Sequence, residues 1–323
     1  MFGVPPGHRY CRYMNTSLIG KKIPIALMGS TRPRVNLNNI RDLEIPIAPL
    51  PQQRRIVKKL DAVLTRLEAC KAHLAKIPPL LKRFRQSVLS AARSGKLTED
   101  WRVENPTVAH TVEQPRPSCN FPAGEPLEGQ FGNIPDSWNR AVLDRVCTKI
   151  TDGEHLTPPL TEQGLPLLSA KDVRDKFLNF SDTKFVDAET AKKSRQRCNP
   201  EKDDILVVSR GATVGRTCRV QVDTVFCLMG SVLLFKPDKK LIVPQLLEYC
   251  FKSPTGLTSL IERSGSTAQQ AIYIKDMRSF MVPVPPLPEQ HEIVRRVESL
   301  FAIADKIEAR YKNAKAQVDR LAQ

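Results

Sequence analysis

The sequence predicts an α+β protein in which a mixed α/β domain is carried on two long antiparallel coiled-coil helices. Three observations predict this arrangement. Two segments repeat apolar residues at alternating steps of three and four, strand-like runs and turn residues lie between them, and one motif occurs twice, about 237 residues apart. This spacing is too wide for a solenoid, whose repeats run to roughly 20–50 residues. The two copies therefore indicate equivalent helices that frame one domain.

The repeated motif opens each long helix. Residues 46–61 read Pro-Ile-Ala-Pro-Leu-Pro-Gln-Gln-Arg-Arg-Ile-Val-Lys-Lys-Leu-Asp. Residues 283–298 read Pro-Val-Pro-Pro-Leu-Pro-Glu-Gln-His-Glu-Ile-Val-Arg-Arg-Val-Glu. Identical helix starts in one chain suggest a pseudo-dyad between the two helices.

The first helix lies within residues 44–104, with Pro51 just ahead of it, where a missing N–H costs little, and Gly95 as its predicted stop. Pro78 and Pro79 lie in mid-helix and predict a kink or a break. A heptad pattern gives each helix an apolar seam. The predicted seam residues are Ile56, Leu60, Val63, Leu67, Leu74 and Ile77 in the first helix and Ile293, Val297, Leu300, Ile307 and Val318 in the second. Packing the two seams against each other within the chain is the economical arrangement, and a homodimeric coiled coil is the alternative.

Between the helices, residues 105–133 are rich in proline and predict a linker or an extended strap. Residues 134–282 predict the mixed α/β domain. Its strand-like runs are Asp204–Ser209 and Ser231–Phe235, and Pro244–Ser253 is typical of a short helix.

Composition favours a polyanionic partner, because 50 Lys and Arg against 34 Asp and Glu give a net charge of +16. The eight cysteines form no C-x-x-C pair, which argues against zinc and disulfides and predicts reduced thiols in a cytoplasmic protein. No apolar stretch is long enough to span a membrane, and no secretory signal is evident.

A search for catalytic signatures yields none that is convincing. Residues 211–217 resemble a phosphate loop but have one residue too few between the glycines and lack Gly-Lys-Ser/Thr. Asp182-Thr-Lys184 fits the end of a nuclease motif without its upstream acidic partner, and Asn199-Pro200 is followed by Glu201 instead of a second proline. We therefore predict no catalytic residue and no metal ligand.

Binding residues are better supported, since arginine forks and turns of small residues suit contacts with phosphates and guanine edges. For each candidate the alternative is a solvated surface side chain. The candidate DNA-binding residues are His155, Lys171, Arg174, Lys192, Lys193, Arg195, Arg197, Arg210, Thr213, Arg216, Arg219, Gln269, Gln270 and Lys275.

These motifs together resemble the DNA-specificity subunit of type I restriction–modification systems. The resemblance rests on both copies of the proline–glutamine motif, on Gly-Lys-Leu-Thr-Glu-Asp-Trp-Arg at 95–102, on Ile-Pro-Asp-Ser-Trp at 134–138, on Asp-Gly-Glu-His at 152–155 and on the run 204–215. It implies a subunit without catalysis of its own. A target recognition domain would read one half of a split double-stranded DNA site, and the spacer helices would dock modification subunits.

The resemblance also implies partners and their cofactors. The modification subunits would use S-adenosylmethionine, and a restriction subunit would supply cleavage driven by ATP and dependent on Mg²⁺, while this chain would bind no cofactor. Residues 1–43 resemble the remnant of a first target recognition domain, 134–282 a complete one and 283–323 a second spacer helix, so the chain resembles a truncated member. It would read a half-site alone or a palindrome as a homodimer. The alternative is an assembly or decoy module without useful DNA specificity.

Overall fold

A computed structural model describes residues 27–28, 34–35, 48–106, 134–263 and 270–321. Its helices are α1 (Leu50–Ser94), α2 (Glu99–Glu104), α3 (Leu143–Val146), α4 (Ala188–Arg197), α5 (Pro244–Lys252), α6 (Pro254–Glu262), α7 (Ile274–Arg278) and α8 (Leu287–Leu321). Its strands are β1 (Leu27–Met28), β2 (Arg34–Val35), β3 (Asn139–Val142), β4 (Cys147–Asp152), β5 (Leu165–Leu168), β6 (Lys184–Val186), β7 (Ile205–Val208), β8 (Thr217–Arg219), β9 (Cys227–Leu228), β10 (Val232–Pro237) and β11 (Met281–Val284).

The central sheet has four antiparallel strands in the order β4-β10-β7-β8. A second sheet, β6-β5-β9, contains one antiparallel and one parallel pair, and β11 pairs with β3. The pair β1-β2 is antiparallel as well. The predicted strands at 204–209 and 231–235 and the helix at 244–253 are confirmed as β7, β10 and α5.

The central sheet is buried on both faces. In β7, Ile205 and Val207 join one hydrophobic cluster, whereas Leu206 and Val208 join another. This alternation follows from the two-residue period of a strand. It explains why β7 reads as a continuous apolar run with four buried residues instead of an apolar–polar alternation.

Helix α1 runs unbroken through Pro78 and Pro79, so the predicted break is wrong. Both prolines are exposed, and the helix continues for more than three turns on either side of them. Gly95 ends the helix as predicted, since its φ of 80° lies in the left-handed region that glycine tolerates best. A 3₁₀ turn, Lys96–Thr98, then leads into α2.

The chain divides into two compact units, one containing residues 1–80 and 306–323 and the other residues 81–305. In the second unit α1 and α8 lie side by side and antiparallel. Arg296 of α8 donates to Asp100 of α2 (2.6 Å), which follows α1 in the chain. Arg85 of α1 donates to Asp305, which lies further along α8 (2.9 Å). The hydrophobic cluster that joins them contains Val88, Leu89 and Ala92 of α1 and Ile293, Val294 and Val297 of α8. Within this unit the helices therefore pair in one chain.

Burial varies along the predicted seam. Leu67, Leu74, Ile77, Leu300 and Val318 are half-buried, and Ile293 and Val297 are buried. The seam prediction is wrong for the exposed residues Ile56 (45%), Leu60 (43%), Val63 (60%) and Ile307 (41%). The half-buried positions there are Val57, Leu64 and Glu308.

The shift has a simple cause in the sequence. Ile56, Leu60 and Val63 form one apolar stripe of α1, and Val57 and Leu64 form a neighbouring one. Both stripes fit steps of three and four, so spacing alone does not choose between them. The half-buried residues Val57, Asp61 and Leu64 form the stripe that meets Leu67 by a step of three.

Most of the predicted linker, residues 107–133, and most of residues 1–43 lie outside the described residues. No helix in the described part of the chain is both long and apolar enough to cross a membrane.

Candidate nucleic-acid interface

One end of the central sheet collects the turns that carry several of the predicted contacts, and we call it the loop end. Strands β4 and β7 finish there, and β8 and β10 start there, because neighbouring strands are antiparallel. The loop end therefore comprises residues 152–156, 209–216 and 229–231. Residues 270–273 join it through an antiparallel bridge between Arg210 and Ala271.

Backbone hydrogen bonds tie these turns to each other. Gly230 N donates to Glu154 O (2.7 Å), and Ser209 N donates to Ser231 O (2.9 Å). Ile272 N donates to Ser209 O (2.9 Å). These hydrogen bonds connect the turns of the loop end to one another at the end of the sheet. Binding loops are commonly found on scaffolds of this kind.

His155 and Arg197 meet at this end around one carboxylate. Asp152, the last residue of β4, is buried, and its side chain accepts a hydrogen bond from Arg197 Nη2. Its other oxygen lies 3.2 Å from His155 Nε2, and Arg197 Nη2 lies 3.1 Å from the same nitrogen. The side chains of His155 and Arg197 are each 47% exposed. Both predicted contacts are therefore accessible to solvent while they contact the carboxylate of Asp152.

Arg210 and Thr213 lie in the turn between β7 and β8. Arg210 is exposed, and Thr213 is half-exposed. Gly211 and Gly215 have φ angles of 93° and 80°, which few other residues adopt. Bonds from Val214 N to Gly211 O (3.1 Å) and from Gly215 N to Val208 O (2.9 Å) close the turn. The backbone of such a turn can come close to the surface of a binding partner, and its exposed arginine can contact that partner.

Other predicted contacts are exposed beside the loop end. Lys171 follows Ala170, whose N–H donates to Ser231 Oγ (3.2 Å), and its ammonium pairs with Asp182 (3.1 Å). Gln270 and Lys275 are exposed, and Lys275 Nζ lies 5.9 Å from the centre of the Tyr273 ring. Arg174, Lys192 and Lys193 are exposed too, and Lys193 pairs with Glu189 within α4. Gln269 lies outside the described residues.

Three predicted contacts are engaged inside the protein. Arg219 is the residue at the far end of β8, where Asp203 (2.8 Å) and Glu248 (3.6 Å) flank its guanidinium. Arg195 donates to Phe226 O (2.8 Å), and Arg216 donates to Val173 O (3.3 Å). The pattern of basic residues cannot reveal this difference, because it depends on the register that places Arg219 opposite Ile205.

The end of the sheet opposite the loop end is acidic and internally paired. Lys236 binds Asp204 (2.8 Å) and Glu201 (3.0 Å), and Lys239 binds Asp203 (2.8 Å). Burial raises the pKa of Asp204 above its ordinary value although Lys236 opposes the shift. Burial also acts to raise the pKa of Asp203, but hydrogen bonds from Lys239 and Arg219 outweigh it and lower that pKa. Lys236 and Lys239 are thus paired with carboxylates at this end of the sheet.

Two residues at the loop end were missed by the sequence analysis as site residues. Asp152 is the first residue of the Asp-Gly-Glu-His turn, so a search for partners of His155 could have found it. Tyr273, 51% exposed, precedes α7 without any pattern that marks it. Among the described residues no group of three or more His, Cys, Asp or Glu side chains is arranged to hold a metal ion.

The second copy of the repeated motif forms a buried polar joint between the helices and the domain. Glu289, fully buried, accepts hydrogen bonds from Thr98 Oγ1 (2.7 Å), Arg102 Nη1 (2.6 Å) and Trp138 Nε1 (2.8 Å). Gln290 accepts from Val243 N (2.7 Å) and donates to the carbonyl oxygens of Leu241 and Pro285, both at 2.8 Å. The side chains of Glu289 and Gln290 thus connect the start of α8 to three other segments of the chain, at residues 98–102, 138 and 241–243.

In the described residues the first copy reproduces the local part of this arrangement. Gln53 Nε2 donates to Ala48 O (2.6 Å), five residues earlier, just as Gln290 donates to Pro285 O. Gln52, at the position of Glu289, is exposed. The two copies therefore share the structure of the helix start.

In the described residues, a repeated helix start, two long helices and a mixed sheet domain with exposed arginine and histidine side chains at its loop end together define the class of this protein. The chain belongs to the family described as the type I restriction modification DNA specificity domain, whose model matches residues 8–78 and 162–316.

Similar proteins agree with this membership. The EcoBI specificity subunit of Escherichia coli is 32% identical over 88% of this chain and 57% of its own length. The EcoKI subunit of Escherichia coli strain K12 is 31% identical over 96% and 62%, and the EcoDI subunit of Escherichia coli is 33% identical over 94% and 65%. The chain thus spans about three fifths of the length of these relatives.

Two solved structures share the fold. A chain from a study of complex assembly and conformational transition in the type I R-M system has a TM-score of 0.63 at 22% identity, covering 97% of this chain and 67% of that one. The HsdS subunit of Thermoanaerobacter tengcongensis has a TM-score of 0.56 at 21% identity, covering 93% and 65%. The predicted fold class is confirmed.

Proposed function

We propose that this chain is a non-catalytic DNA-recognition subunit of a type I restriction–modification complex. Its loop end would read one half of a bipartite double-stranded DNA site, and its helices would dock modification subunits. Methyl transfer from S-adenosylmethionine and ATP-driven cleavage would belong to the partner subunits. Family membership supports the class, and the exposed side chains on the turns of the loop end support the surface.

The observation that carries the proposal is the exposed Arg210, which lies in the closed, glycine-containing turn of the loop end. His155, in another turn of this end, and Arg197, the last residue of α4, have half-exposed side chains that contact one carboxylate. Because DNA attracts a protein mainly through its phosphates, exposed arginines beside closed turns favour DNA binding at this end. Base edges are then read by the side chains of the turns.

Selection from a pool of duplexes with a randomised core tests this function. The full-length chain, immobilised at physiological salt, should enrich one short contiguous sequence, which corresponds to half of a bipartite site. Equal recovery of all sequences, with binding that disappears as salt is raised, would show only non-specific association and would contradict the proposal.

Docking of modification subunits is supported by an exposed apolar stripe on α1, formed by Ile56, Leu60 and Val63. Large apolar side chains in a row on a helix surface commonly mark an interface. Val63→Glu should abolish co-purification with the modification subunit while leaving the circular dichroism spectrum unchanged. Lys76→Glu, on an exposed position of the same helix, is the matched control and should leave co-purification intact.

A further inference from the structure

The buried carboxylate of Asp152 holds the two half-exposed side chains of the loop end. Asp152 lies opposite Leu233 in the β4–β10 ladder, and its side chain is only 9% exposed. Desolvating a carboxylate is unfavourable unless donors surround it. Arg197 Nη2 donates to one oxygen, and His155 Nε2 lies 3.2 Å from the other. Both partners are therefore drawn to a fixed point at the end of β4.

Two glycines pack the turn so closely that its shape is fixed. A Cβ atom on Gly153 would lie 2.0 Å from Leu228 O, and one on Gly230 would lie 2.8 Å from His155 Nδ1. The imidazole of His155 thus lies close to the backbone of Gly230. Arg197 is the last residue of α4, which is attached nearby by the bond from Arg195 to Phe226 O (2.8 Å). The backbone that carries each side chain is therefore in close contact with neighbouring segments.

The guanidinium of Arg197 keeps donors for a ligand. Among the described residues, its polar contacts with Asp152 and His155 all use Nη2, which leaves Nε and Nη1 without a protein partner. Half of the side chain is exposed. Arginine presents its donors in a rigid plane, and holding that plane in advance lowers the entropy lost on binding. Guanine is the base whose major-groove edge offers two acceptors to arginine.

We propose that Asp152 is a positioning residue for sequence discrimination, which acts through Arg197. It orients Arg197 towards a guanine edge at one position of the recognised half-site. The inference rests on the proposed function, since it takes duplex DNA at the loop end as the ligand.

The same carboxylate has an opposite effect on binding to DNA in general. A negative charge beside the DNA surface repels phosphates, whatever the sequence. Removing only that charge should therefore weaken binding to the correct sequence and strengthen binding to unrelated DNA. A residue that merely supports the fold would weaken both when it is replaced.

The test compares Asp152→Asn, Arg197→Ala and the double variant of the full-length chain. The probes are the duplex that the wild-type chain selects from the randomised pool and a shuffled duplex of equal composition. Asp152→Asn should bind the selected duplex about ten-fold more weakly, the loss of roughly one good base contact. It should bind the shuffled duplex as well as or a few-fold more tightly than the wild-type chain does. The double variant should bind the selected duplex no more weakly than Arg197→Ala alone.

A second selection with the variants shows where discrimination is lost. Asp152→Asn and Arg197→Ala should both relax the preference for guanine at the same single position. Asp223→Asn, which removes an 80% exposed carboxylate paired with Lys202, is the matched control and should select the wild-type sequence. If Asp152→Asn does not fold, Asp152→Glu keeps the charge, displaces it by one methylene and should relax the same position.

The outcomes separate the two proposals. If the wild-type chain selects no sequence, the proposed function fails and this inference fails with it. If the wild-type chain selects a sequence and Asp152→Asn retains full discrimination, the inference alone is overturned. Parallel losses for selected and shuffled duplexes, or additive losses in the double variant, also overturn it.

Discussion

Arg210 and Lys239 are both cations of the same domain, but they lie at opposite ends of the central sheet. Arg210 is exposed in a closed turn of the loop end, whereas Lys239 binds Asp203 at 2.8 Å. Arg210→Ala should weaken DNA binding by about ten-fold, because a base or phosphate contact is lost. Lys239→Ala should change it by less than two-fold, since its charge is already matched. Fluorescence anisotropy with the selected duplex measures both, and equal losses would contradict the assignment of the loop end.

At this scale the sequence identifies residue types but not their surroundings. His155, Arg197 and Arg210 were predicted as contacts, and they lie together at the loop end. Arg219 was predicted because it flanks the same glycine-containing turn as Arg210, and it is instead bound to Asp203 and Glu248. Only the pairing of β8 with β7 separates them, and pairing register is a long-range property.

The polar joint at the start of α8 connects this helix to several other segments of the chain. Glu289→Ala should lower the free energy of unfolding by about 3–5 kcal/mol, since it leaves Arg102, Thr98 and Trp138 with buried donors that have lost their acceptor. Urea unfolding followed by circular dichroism measures the loss. The matched control is Gln52→Ala, at the equivalent exposed position of the first copy, which should stay within about 0.5 kcal/mol of the wild-type chain. Similar small losses for both would show that the joint contributes little.

Elements were predictable where a single period dominates. Both long helices, the strands β7 and β10 and the helix α5 follow from spacing and from turn residues. Helix α1 does not break at Pro78, because tertiary and flanking helical contacts can outweigh a local penalty of about 3 kcal/mol for each proline. The buried stripe of α1 was misassigned at Ile56, Leu60 and Val63, where two apolar stripes overlap.

At the scale of the whole molecule, carboxylates held by arginines make stability depend on pH. A hydrogen bond from Arg295 and a second from Arg296 outweigh partial burial and hold the pKa of Glu292 at about 2, below its ordinary 4.5. A lowered folded-state pKa stabilises the protein above the unfolded-state pKa, and that contribution is lost as pH falls from about 4.5 towards 2.

Thermal unfolding across this range checks the sign. The melting temperature of the wild-type chain should exceed that of Glu292→Gln at pH 7, and the difference should shrink between pH 4.5 and pH 2. Asp100 and Asp305, whose pKa values are lowered by Arg296 and by Lys176 respectively, add to the decline of the wild-type chain in acid. A difference that grows as pH falls would contradict this reasoning.

The overall organisation was predictable because the chain repeats itself. Two copies of one motif mark the two helices, and the apolar runs between them mark the sheet domain. What composition could not supply is the register of the central sheet, which places Arg219 beside Asp203 at the end opposite Arg210.

The bonds from Gln53 to Ala48 O and from Gln290 to Pro285 O are the same local ring in both copies of the motif. Such a ring depends on residues that lie five apart in the sequence, so either copy can form it without help from distant segments. The preceding position differs, because Gln52 is exposed whereas Glu289 accepts hydrogen bonds from three donors of distant segments. The helix start is thus specified locally in both copies, and the acid of the second copy adds its attachment to the domain.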